Sequence, residues 1–143
     1  MLFGKRKQVV KRILIVEDEP LTAFDNENML GDAGYEIVAT VDDFEEALQI
    51  LDREEVHLVL SDVRLRSDRT GIDLARHATG KRVPTLFATG HSDPCSPDVA
   101  VGCLTKPYTE RQLLKAIDCV DRHLQGHKVK PPKGLELYAA KTD

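Results

Sequence analysis

Apolar residues crowd into four short stretches of the chain, and each stretch stops on a charged or hydroxyl side chain. Arg12-Ile13-Leu14-Ile15-Val16 ends on Glu17-Asp18-Glu19-Pro20, and Val56-His57-Leu58-Val59-Leu60-Ser61 ends on Asp62. Val83 to Ala88 ends on Thr89-Gly90, and Val101 to Thr105 leads into Lys106-Pro107. Runs that are apolar at nearly every position predict strands buried on both faces, the pattern of a parallel sheet covered by helices. A fifth, shorter strand is predicted over Glu36 to Thr40.

Between the strands the period changes. Phe44, Ala47, Leu48 and Leu51 fall at i, i+3, i+4 and i+7, and Leu113, Ala116, Ile117, Val120 and Leu124 form a second stripe, so both segments predict helices with one buried face. Asp43 with Glu46, and Thr109 with Gln112, have the spacing of capping boxes. Pro20 opens a helix to about Ala33 that Asn26, Asn28 and Gly31 weaken and Gly34 closes. A short helix is predicted over Gly71 to Ala78, with Gly80 as its C-terminal cap. Pro94 and Pro97 leave any helix in residues 91 to 101 short or loosely held. Strand and helix alternating five times imply an α/β fold: one five-stranded parallel sheet, right-handed crossovers and five helices on both faces. A flavodoxin-like strand order, 2-1-3-4-5, suits that pattern.

A length of 143 residues predicts one domain, with no room for a second output domain. Residues 12–125 are assigned to it, with a basic, unstructured segment over 1–11 and a flexible, Pro-rich tail over 126–143. The net charge of -4 is spread over both signs and lacks the basic footprint of a nucleic-acid binder. Cys95, Cys103 and Cys119 have no metal-ligand spacing and are read as free thiols of a reducing compartment. No apolar run reaches membrane-spanning length, and the start lacks the apolar core of a signal peptide, so no membrane contact and a cytoplasmic location are expected.

In a parallel sheet the carboxyl ends of the strands share one edge, where ligands bind. That edge would gather Glu17, Asp18, Asp62, Thr89 and Lys106. Carboxylates about 4 Å apart repel by roughly 4 kcal/mol per pair at an effective dielectric near 20. One lysine cannot offset this, whereas a hard divalent cation can, and Mg²⁺ is the one that pairs one or two carboxylates with a phosphate. The pattern therefore predicts a site for Mg²⁺ and a phosphoryl group, with Asp62 as the nucleophile and Thr89 and Lys106 stabilising the phosphoryl oxygens.

Ile-Val-Glu17-Asp18-Glu-Pro, Leu-Ser-Asp62, Ala-Thr89-Gly and Thr-Lys106-Pro107, in this order and spacing, resemble the receiver domain of bacterial two-component response regulators. The resemblance covers residues 12 to about 124. It implies that a histidine kinase or phosphotransfer protein phosphorylates Asp62. It also implies that Asp18 ligates the metal directly, Glu17 outside it and Arg64 through its backbone carbonyl, and that the Lys106-Pro107 bond is cis. Partners would dock on residues 94–124, where charge reversal of Arg111 or Lys115 should disturb them. A monomer is expected, with a dimer as the alternative.

The chain departs from the family at informative places. Cys103 stands where many receivers carry a switching Tyr or Phe, and Pro84 to Gly90 resembles instead the single-domain subgroup nicknamed FATGUY. With no such aromatic, residues 90 to 101 are expected to reorder on phosphorylation. His91, Arg64 and Arg66 are candidate modulators, set against the plainer reading of solvated loop residues. An aspartate-nucleophile phosphatase resembling haloacid dehalogenases would need an acid where Arg64 stands, so turnover of an external substrate is not expected. The remaining alternative is an unphosphorylated binding module of receiver shape.

Overall fold

The computed structural model describes residues 7–65, 70–90 and 97–139. Strands β1 (Arg12–Val16), β2 (Glu36–Val41), β3 (Leu58–Ser61), β4 (Thr85–Thr89) and β5 (Gly102–Thr105) pair in parallel in the order β2-β1-β3-β4-β5, as the sequence predicts. Helices α1 (Pro20–Asp32), α2 (Phe44–Arg53), α3 (Gly71–Gly80) and α4 (Glu110–Leu124) cover the two faces. Among the described residues no helix is long and apolar enough to cross a membrane.

Alternation along β1 divides the core. Ile13 and Ile15 point toward Leu30 of α1 and Leu113 and Ile117 of α4, while Leu14 and Val16 point toward Phe44, Ala47 and Leu51 of α2 and Leu74 and Ala78 of α3. All four β1 side chains are fully buried, and each contributes about 1.5–3 kcal/mol relative to exposure. Thr109 and Gln112 cap α4 reciprocally; on α2 Asp43 accepts from the Glu46 amide.

The structure corrects several boundaries. Gly80 is the last residue of α3 rather than its cap: Lys81 takes that place, and Arg82 adopts the left-handed conformation at φ 63°. Four helices rather than five occur among the described residues, because 97–99 form a turn and 91–96 lie outside them. Asn26, expected to weaken α1, is buried and accepts a 2.8 Å hydrogen bond from the Tyr108 hydroxyl. Cys103 is disulfide-bonded rather than a free thiol; Cys119 is free and buried.

Both flanks of the domain are tied down. The Val9 and Val10 amides donate to Asp121 Oδ2 at 3.0 and 2.9 Å, and the Lys11 and Arg12 amides donate to His57 Nδ1, so the domain begins before residue 12. At the other end the expected flexible tail forms β6 (Leu135–Leu137), antiparallel to β5. Leu135 is buried, Thr105 N donates to the Gly134 carbonyl, Tyr138 N to that of Val101, and His123 Nε2 to that of Tyr138 at 2.9 Å. Gly134 turns the chain into β6 at φ +91°, and Gly102 admits it, since a Cβ there would lie 2.5 Å from the Glu136 carbonyl oxygen. A strand of three residues is too short for period-two reading, which is why the sequence alone suggests a tail.

Candidate functional site: an acidic edge bridged by a lysine

The pairing of strands carries each candidate residue to one edge. Val16 pairs with Ser61, Ser61 with Phe87, and Thr89 with Thr105, so the residues that follow β1, β3 and β5 emerge side by side with the end of β4. Each chain stays extended one residue beyond its strand: Glu17 N donates to Val41 O, Asp62 N to Val16 O and Lys106 N to Thr89 O, at 2.9, 3.0 and 2.9 Å. The functional side chains are therefore mounted on hydrogen-bonded backbone rather than on free loops.

Lys106 Nζ lies 2.6 Å from Glu17 Oε1 and 3.1 Å from Asp62 Oδ2. Glu17 is buried, and its other oxygen accepts the Glu19 amide at 3.0 Å. Burial pushes the Glu17 carboxyl above the usual range, opposed by the hydrogen bond from Lys106 and that from Glu19. For Lys106 burial acts downward, but the hydrogen bond and charge of Glu17 and the charge of Asp62 outweigh it, so its pKa is raised and it stays an ammonium. Glu17, Asp18 and Asp62 each offer a carboxylate oxygen within 4.8 Å of the others. Asp18 and Asp62 are half-buried and open to solvent. Three hard oxygen donors beside one ammonium fit Mg²⁺, a cation that takes oxygen ligands and retains water.

The loop after β3 is shaped around Asp62. Arg64 N donates to Asp62 Oδ1 at 3.1 Å, and Gly71 N donates to Val63 O at 2.7 Å. A Cβ on Gly71 would stand 2.0 Å from the Asp62 carbonyl oxygen, so only glycine lets α3 start this close to the acid. Thr70 and Asp73 form a reciprocal capping box there. Sequence reasoning passed over this box, although Thr-x-x-Asp before an apolar stripe was its signal.

Thr89 is buried at the end of β4, and the peptide bond between Lys106 and Pro107 is cis. Tyr108, another residue the sequence reading left out, ties this turn to α1 through Asn26. Burial raises its pKa, against the Asn26 hydrogen bond. Arg66 and His91 lie outside the described residues, as does part of the expected partner face, 94–124. Arg111 and Lys115 are exposed on α4.

Comparison with known proteins decides the family: residues 13–118 match the response regulator receiver domain. The chain belongs to that family. It is 34% identical over 116 residues to the transcriptional regulatory protein PdtaR of Mycobacterium tuberculosis, covering 77% of this chain and 56% of the relative. It is 29% identical over 119 residues to the sensory transduction protein LytR of Staphylococcus haemolyticus, covering 79% and 46%. The chain thus spans about half the length of the curated relatives it matches. Among solved structures, it superposes on a CheY-like receiver domain protein from Methanospirillum hungatei with a TM-score of 0.70 at 26% identity, covering 82% of this chain and 99% of that one. The N-terminal domain of a response regulator/sensory box/GGDEF 3-domain protein from Carboxydothermus hydrogenoformans gives 0.72 at 27% identity, covering 81% and 98%. In this family the acidic edge belongs to a signalling module.

Proposed function

We propose that this receiver accepts a phosphoryl group on Asp62 from a histidine kinase or phosphotransfer protein and signals through partner binding or onward transfer. The observation that carries the reading is the meeting of Glu17, Asp18 and Asp62 within 4.8 Å, with Lys106 bonded to two of them. In the transfer, an Asp62 oxygen bonds to phosphorus as the phosphorus–nitrogen bond of a phosphohistidine breaks. The departing imidazole keeps the electron pair and takes a proton from solvent.

Asp18 and Asp62, with Glu17 outside them and the Arg64 carbonyl beside them, would hold Mg²⁺, which supplies neutralisation of phosphoryl charge when bound. Lys106 already reaches Asp62 and can follow the new charge onto a phosphoryl oxygen. Thr89 supplies a hydroxyl from the neighbouring strand end. The Arg64 amide holds Asp62 Oδ1 by a hydrogen bond, which helps orient the carboxylate for attack. Turnover of an external substrate forms no part of this reading, and a cytoplasmic location does.

Labelling with a phosphorylated histidine kinase tests it. The wild-type chain should take up label only with Mg²⁺ present, and Asp62→Asn should take up none. Full labelling of Asp62→Asn would end the assignment.

A further inference from the structure

Charge is distributed unevenly over this chain. Most of its 24 acids lie between Glu17 and Asp62, a stretch in which Arg53 is the sole Lys or Arg. The opposite imbalance appears where residues 128–133 run beside α4. Lys115 and Arg122 of α4 and Lys128, Lys130 and Lys133 of the strap line a groove of about 610 Å³, in which Asp118 is the one lining carboxylate.

A lysine-rich, proline-containing segment is ordinarily a solvated tail, but this one is fastened. Val129 packs against the core, the Cys119 thiol approaches the Lys130 carbonyl at 4.0 Å, and β6 anchors the strap at its far end. Val129 turns inward, while Lys128 and Lys130 on either side of it are exposed. Pro131 and Pro132 restrict the backbone further. The backbone that carries the cations is therefore held in place before any partner arrives, which lowers the ordering cost of binding. In Asp118 they have a single acid of their own groove to neutralise them, 3.4 Å from Arg122 Nε.

We propose that the groove between α4 and residues 128–133 docks an extended, acidic segment of a partner protein. A short acidic segment fits within the groove, whereas a nucleic acid running past its ends would meet the field of a chain with net charge -4 and an acid-dense half. The groove lies apart from Asp62 and needs none of its chemistry, so phosphoryl labelling can succeed or fail independently of it.

The test is fluorescence anisotropy with a labelled poly-glutamate peptide and the full chain. Binding should appear at low ionic strength and weaken as salt shortens the Debye length. Reversing Lys128, Lys130 and Lys133 together to Glu should weaken it at least about tenfold. Lys115→Glu, from the helix wall, should weaken it by a smaller factor, and Arg76→Glu on α3 should leave it unchanged. All these side chains except Arg122 are exposed, and unchanged thermal melting would confirm that the variants fold. Absence of peptide binding, or equal binding by the triple variant, would overturn the proposal. Tighter binding of polyuridylate would replace the acidic segment by nucleic acid, and self-association lost in the triple variant would replace it by a second copy.

Discussion

Two buried carboxylates sit at opposite ends of the sheet, and their partners differ in kind. Asp121 accepts from the Val9 and Val10 amides and from Gln125 Nε2, all neutral donors fixed by the fold. Glu17 takes one such amide, from Glu19, but its other oxygen depends on Lys106, an ammonium that it shares with Asp62. Fixed dipoles satisfy Asp121 and leave little for a ligand to improve. A shared cation leaves the acids at the other end crowded, which is the condition under which a metal ion or a phosphoryl group gains most. The first carboxylate serves structure and the second cluster serves chemistry.

Removing each kind of acid should expose that difference. Asp121→Ala leaves two backbone amides without their acceptor and should cost about 3 kcal/mol in urea denaturation, while phosphoryl uptake per folded molecule stays near wild type. Mg²⁺ at about a hundred times its dissociation constant should raise stability by about 2.7 kcal/mol, and Asp18→Ala should abolish most of that gain. A melting temperature that ignores Mg²⁺ in the wild-type chain would remove the metal from the site. The smallest effect is expected for Asp62→Asn without metal. Asparagine keeps an acceptor for Arg64 N and relieves carboxylate repulsion, so stability should stay within about 0.5 kcal/mol of wild type. A loss as large as that of Asp121→Ala would erase the distinction between the two ends.

The acidic edge was legible in the sequence because parallel pairing leaves little freedom. Once the apolar runs before Glu17, Asp62, Thr89 and Lys106 are strands of one sheet, their ends must lie together. Asp121 gave no such signal, since its role depends on amides 112 and 111 positions away in the chain. Asn26 looked like a poor helix former because propensity is local, whereas its value lies in meeting Tyr108. The end of α3 was misread for the opposite reason: a glycine suggested a cap, but the left-handed turn falls on Arg82. Strand β6 was hidden by its length: Leu135-Glu136-Leu137-Tyr138 reads as a sticky stretch within a tail, and the close pairing that it makes rests on Gly102 and Gly134.

The bonds from Val9 and Val10 to Asp121 also bear on the order in which the chain assembles. Closing a loop of that span costs about 4 kcal/mol in chain entropy before any contact offsets it. During synthesis the first strand leaves the ribosome long before α4 exists, so its leading residues have no acceptor to meet. The clasp between the two ends is therefore among the last contacts to form, and breaking it should speed unfolding while leaving the folding rate almost unchanged.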